Sequence, residues 1–184
     1  MARFKEFSWA VLVLVAVIVI FTIFGVHRSL GAQAAAVEDQ FYDGVKYDGY
    51  THKSINSQLS NRTDAALGLI SIASKYGLED GVSSLRDARN ELLEAKGISE
   101  KSALNRQLDS AFNALYSALT AEDLSDSDMN AALDYNSTFT GSQKVIDESG
   151  YNEAVRKFNR EVMSVFPINF LKHISFVSSP ELFE

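Results

Sequence analysis

The chain has no cysteine, which excludes disulfides, thiolate metal sites and lipoprotein-type acylation together. That absence is compatible with either side of a membrane. Histidine is scarce: His27, His52 and His173 lie in three separate regions, without an H-E-x-x-H pair or a carboxylate at ligand spacing. No Glu has a His three residues on, the pairing that metal-binding carboxylate bundles use. Gly-x-Ser-x-Gly, a partnered Ser-x-x-Lys and a Gly-rich phosphate loop after a strand are missing as well. Alternating strand patterns of useful length are absent. What remains is a helical chain without recognisable catalytic, metal or cofactor chemistry.

What the chain does have is a long apolar run. From Phe7 to Val26, 20 consecutive residues carry no charge. At about 1.5 Å per residue a helix of that length matches the ~30 Å hydrocarbon core of a bilayer. Residues 7–27 are therefore expected to form one transmembrane helix after a short flank of residues 1–6, with Trp9 near an interface. Arg3 and Lys5 precede the run; after it come His27 and Arg28, then no Lys or Arg until Lys46. The positive-inside rule places the N-terminus in the cytoplasm and the rest outside the cell membrane. The rival is a cleaved signal peptide with Ala32-Gln33-Ala34 as cleavage site, but a signal h-region is shorter, about 7–15 residues.

Residues 28–50 read as a juxtamembrane linker, broken by the turn-forming Tyr42-Asp43-Gly44 and Tyr47-Asp48-Gly49. From residue 51 to 184 the pattern is helical, and short connections imply an antiparallel up-and-down bundle of four to five helices. One stripe is Ile55, Leu59, Ala66, Leu69, Ile70, Ala73 and Tyr76, closed by Gly77. The next is Val82, Leu85, Ala88 and Leu92, with Asp80 as expected cap. Ser99 is the expected cap of a third, Leu104, Leu108, Ala111, Phe112, Leu115 and Leu119. A weaker fourth, capped by Ser125 or Asp126, carries Met129, Leu133, Phe139, Val145 and Ile146. A cleaner fifth runs from Tyr151 through Val155, Phe158 and Val162 to a stop at Pro167.

Three stretches resemble the LemA family, a bacterial group with an N-terminal membrane helix and a helical bundle. They are Gln58-Leu59-Ser60-Asn61-Arg62-Thr63-Asp64, then Ala88-Arg89-Asn90 with Glu100-Lys101-Ser102-Ala103, and Tyr151-Asn152-Glu153-Ala154-Val155-Arg156-Lys157-Phe158-Asn159 followed by Phe166-Pro167. The resemblance implies structural roles for Arg62, Asp64, Tyr151, Asn152, Asn159, Phe166 and Pro167. It implies fold and location, since the family has no established biochemical activity. The chain departs from the family pattern at Leu67-Gly68, where a Pro-Asn pair is usual, and at Gly141-Ser142-Gln143, where Glu-Asn-Arg is usual.

Residues 34–184 hold 23 acidic and 14 basic side chains, which argues against nucleic acid and against docking to anionic lipid. Between Arg106 and Lys144 stand six carboxylates and no basic residue. Asp126-x-Asp128-x-Asn130 imitates the start of a calcium loop, but Ala131 and Ser137 occupy the positions that need Gly and Glu. The run reads as a solvated face, with Asp123, Asp126, Asp128 and Asp134 as the candidates for docking a basic protein partner. The tail after Pro167 is too apolar to hang in water, and either packs along the bundle or enters the bilayer surface. The sequence thus leads to a non-enzymatic, membrane-anchored interaction or scaffold module that binds a protein partner or itself and takes no cofactor. The alternative is an enzymatic or small-molecule-binding bundle with a polar site between helices.

Overall fold

The computed structural model describes the backbone of residues 2–44, 46, 47, 50, 51 and 53–184, and the side chains of 9–44, 53–173 and 176–184. The first helix, α1, is Ala2–Asp43, about 63 Å long at the usual rise. It contains an 18-residue stretch of mean hydropathy 3.0, none of it buried, and is long and apolar enough to cross a membrane. The expected juxtamembrane linker is therefore helical as far as Asp43, and Ala32-Gln33-Ala34 lies inside an unbroken helix. Gly44 ends α1 with φ 85° while its N–H still bonds the Gln40 carbonyl, so the first Tyr-Asp-Gly acts as the helix stop. Lys46–Tyr47 and Tyr50–Thr51 then pair briefly as antiparallel backbone; Asp48, Gly49 and His52 are outside the described residues.

Two compact units share the chain. One holds residues 39–153 and 181–184, the other residues 1–38 and 154–180. The first is a bundle of α2 (Ile55–Ala73), α3 (Glu79–Glu94), α4 (Ile98–Leu119) and α5 (Asp126–Asp147). Its core is the expected stripes: Ile55, Leu59, Leu69 and Ile70 of α2, Val82, Leu85 and Leu92 of α3, and Leu108, Phe112, Leu115 and Leu119 of α4 are all buried. On α5 the expected stripe holds at Phe139 and Ile146, is half-buried at Met129 and Val145, and fails at Leu133. Ala132, Phe139, Ser142 and Ile146 point inward, leaving Leu133 48% exposed. Phe139 stacks on Phe112, ring centroids 3.7 Å apart.

The caps also differ from expectation. Asp80 lies in the first turn of α3, whose cap position is Leu78, and Gly97 rather than Ser99 caps α4. The Glu100 carboxylate accepts from the N–H groups of Lys96 and Gly97, and the Ser99 N–H donates to Glu181 from the C-terminal end, at 2.9 Å. Two carboxylates thus serve donors that a helix leaves unsatisfied. Ser125 does cap α5, accepting from the Asp128 N–H, and the calcium-like segment is its first turns.

The second unit pairs α1 with the C-terminal segment. The helix α6 (Tyr151–Phe158) begins in the bundle unit and belongs to this one from Ala154; a wider π turn follows over Asn159–Met163, and α7 spans Ile168–Ser175. The expected clean fifth helix therefore loses its α-helical form at Asn159, whose carbonyl accepts from the Ser164 hydroxyl five residues on. Phe158 and Met163 pack with Ala34, flanked by Val37, Val162 and Val177.

Candidate functional site

Arg62 stands on the apolar stripe of α2, three residues after Leu59 and four before Ala66. That register drives a guanidinium into the core, where its side chain is 0% exposed. One terminal nitrogen, Nη2, donates to Asp109 Oδ1 of α4 at 2.6 Å, and the guanidinium carbon lies 3.9 Å above the Phe139 ring. Phe139 in turn stacks on Phe112, so a cation, two rings and a carboxylate tie α2, α4 and α5 together. Asp109 is 47% exposed and also accepts from Asn113 at 3.1 Å, so it links the buried cation to water. Burial pulls the Arg62 pKa below its ordinary value, and the Asp109 hydrogen bond opposes that.

A second polar chain bridges α4 and α5: Asn105 donates to Gln143 at 3.0 Å, and Gln143 donates to Asp147 at 2.7 Å. Among the described residues, Arg62 Nε and Nη1 and Asn105 Oδ1 are buried and find no hydrogen-bond partner. With Phe139 stacked on its guanidinium, Arg62 has the packing of an interior strut. The sequence offers Phe139 only as a stripe residue, Asp109 only as one carboxylate of the acidic run and Gln143 only within Gly141-Ser142-Gln143, and it does not offer Asn105 at all. Their one advance signal was a charged residue in stripe register, which demands a partner.

The residues that carry the resemblance noted in the sequence separate. Asp64 is exposed on the far side of α2. Tyr151 and Asn152 instead form a clasp for the chain end. The Tyr151 hydroxyl donates to the Glu181 carbonyl at 2.7 Å. The Asn152 amide donates to the Phe183 carbonyl at 2.7 Å and accepts its N–H at 2.8 Å, replacing a strand partner. The Phe183 ring packs against Phe41, which meets Tyr151 edge-on. Asn152 therefore bonds tail backbone rather than a neighbouring helix. Asn159 sits in the π turn, with a buried Oδ1 that has no partner among the described residues, while Phe166 and Pro167 are exposed.

The acidic candidates separate too. Asp128 accepts from Lys75 Nζ at 2.7 Å, from the Tyr76 hydroxyl at 3.0 Å and from Ser125, pinning the start of α5 to the end of α2. Its pKa is held below the usual carboxylate range, first by Lys75 and then by Tyr76. Asp123 and Asp126 are exposed beside it, with Glu122, and Asp134 is exposed two turns along α5. Within the bundle this tip is opposite the end that receives Phe41 and the chain terminus, where Lys101 lies 5.7 Å from the Phe41 and Tyr42 rings. Compared with models of known protein families, with curated proteins and with solved structures, the chain matches none.

Proposed function

We propose that the protein is a non-enzymatic interaction module of the LemA type, anchored in the bacterial cell membrane by α1 and presenting an acidic tip to a basic protein partner. The observation that carries the reading is the Lys75–Tyr76–Asp128 joint, which holds the loop after α4 rigidly against the end of α2. Glu122, Asp123 and Asp126 are thereby displayed at a fixed place rather than on a loose loop, and a one-signed field on a rigid surface steers association. Arg3 and Lys5 ahead of the apolar run support a cytoplasmic N-terminus and an external bundle.

The test spares the structural carboxylate. Asp123→Lys, Asp126→Lys and Asp134→Lys are combined in the full chain, with a photocrosslinker at Glu122, in native membranes. Loss of the crosslinked partner with an unchanged unfolding curve, mimicked by added salt, is the expected result. An unchanged crosslinking pattern refutes the docking surface.

A further inference from the structure

We propose that residues 164–177 form a second membrane element, an aromatic hairpin seated in the bilayer beside the end of the α1 span, with lipid as the occupant of its exposed apolar face. The inference rests on reading α1 as the membrane span and goes beyond it. Along one side of α1 the C-terminal segment first meets Ala34 and Val37 through Phe158, Val162 and Met163. It then reaches Ile20, Ile23, Phe24 and His27, which line one apolar hollow of about 300 Å³ together with Phe176. Ile20, Ile23 and Phe24 belong to the uncharged run Phe7–Val26, so Phe176 lies at the depth of its last two turns. A residue at that depth is in hydrocarbon when the run is.

Two further observations agree. Phe166 is 81% exposed, Phe170 64% and Phe176 87%, whereas the large aromatics Phe41, Phe112 and Phe139 of the bundle are buried. In water such a patch has an unfavourable surface; beside a span it is continuous with the lipid-facing side of α1. Phe176 also adopts φ 55°, the left-handed conformation that ends α7. Finally, the chain leading into this element is cationic, and Lys172 is the one Lys or Arg within it. Residues 154–180 carry Arg156, Lys157, Arg160 and Lys172 against Glu161 alone. The acidic balance of the chain as a whole hides this, and the sequence argument against anionic lipid does not apply to this segment.

The absence of cysteine makes the test direct, since each introduced cysteine is the single labelling position. Nitroxide labels at Val15→Cys, Phe170→Cys, Phe176→Cys and Asp126→Cys are placed one at a time in the full chain. Each protein is reconstituted in phosphatidylcholine–phosphatidylglycerol vesicles, and collisions with oxygen and with a water-soluble nickel chelate are measured by power saturation. The expected result is that positions 170 and 176 share the oxygen-rich, nickel-poor signature of position 15, a ratio several-fold above that of position 126. If positions 170 and 176 match position 126 while position 15 stays in lipid, the hairpin is refuted and the anchor stands. If position 15 is also nickel-accessible, the anchor and the hairpin fall together.

Discussion

The two units treat aromatic side chains in opposite ways. In the bundle, Phe41, Phe112, Phe139 and Tyr151 are sealed from solvent; in the α1 unit, Phe21, Phe24, Phe166, Phe170 and Phe176 face outward. Charge divides along the same line. Residues 39–153 and 181–184 have 10 basic against 21 acidic side chains, a balance of −11, while residues 1–38 and 154–180 have 7 against 3, a balance of +4. A single chain average of −7 conceals both. The bundle follows the rules of a water-soluble domain, with apolar groups in and carboxylates out. The other unit buries a small cluster, Ala34, Phe158 and Met163, leaves most of its aromatics exposed and carries a net positive charge.

The largest expected effect comes from removing one ring in each unit. Phe139→Ala takes away the ring on which Arg62 rests and which stacks on Phe112, and should cost the bundle about 3–5 kcal/mol. Phe170→Ala removes an exposed ring and should leave the bundle transition within about 0.5 kcal/mol of the parent. Thermal unfolding of the full chain in detergent, followed by circular dichroism, measures both. Equal losses would mean that the two units share one core.

Arg62 probes the same core by charge. Arg62→Ala leaves a cavity beside Phe139, but its partner Asp109 is half exposed and keeps Asn113, so the loss should be about 2–4 kcal/mol. Arg62→Met refills the space with an unbranched apolar chain and should fall within about 1 kcal/mol of the parent, since replacing a buried ion by packed carbon is often neutral. Denaturant titration separates the two. A Met variant as damaged as the Ala variant would show that the buried charge itself holds the bundle.

Much of this was legible beforehand. The helices, their order and most inward faces follow from apolar spacing, because burial of one stripe per helix is a local property of the sequence. Less legible was whatever depends on two distant segments meeting. Leu133 looks like a core residue, yet Ala132 beside it takes the buried position on α5. Ser99 looks like a cap until Glu181, 82 residues later, arrives at its N–H. The six-carboxylate run read as one surface, yet Asp109 and Asp128 are consumed by Arg62 and Lys75. Tail residues offered two destinations, and the chain divides them: Phe183 is buried in the bundle, while Phe166, Phe170 and Phe176 are exposed.

Two glycines inside bundle helices give a smaller and signed comparison. A Cβ at Gly68 would run into the Tyr135 ring, so Gly68→Ala should destabilise the bundle by about 1–3 kcal/mol. Nothing surrounds Gly141, and its backbone is ordinary helix, so Gly141→Ala should stabilise by about 0.5–1 kcal/mol. Opposite shifts in melting temperature are expected. Of the two positions, only Gly68 has a packing reason to be glycine.

The smallest effect belongs to the acidic tip and depends on pH. Asp128 is held below its ordinary pKa by hydrogen bonds from Lys75 and Tyr76, so its folded value lies below its unfolded one. Its contribution is therefore present above the unfolded carboxylate value near pH ~4 and is lost as pH falls through the folded value. Lys75 is raised by the same hydrogen bond, so its contribution is present below its unfolded value near ~10.4 and is lost as pH rises through the folded one. The joint should thus stabilise across neutral pH and weaken at both extremes. Both partners are reached by water, so added salt should shrink the effect. Asp128→Asn should flatten both limbs of melting temperature against pH, because it also removes the group that raises Lys75, whereas Lys75→Gln should flatten the alkaline limb and leave the part of the acid limb that Tyr76 and Ser125 hold. Asp126→Asn, two residues away on the same tip, should leave both limbs as they are. If Asp126→Asn flattened the acid limb as much as Asp128→Asn, the carboxylates of the tip would act as a collective field rather than as one joint and several displayed charges.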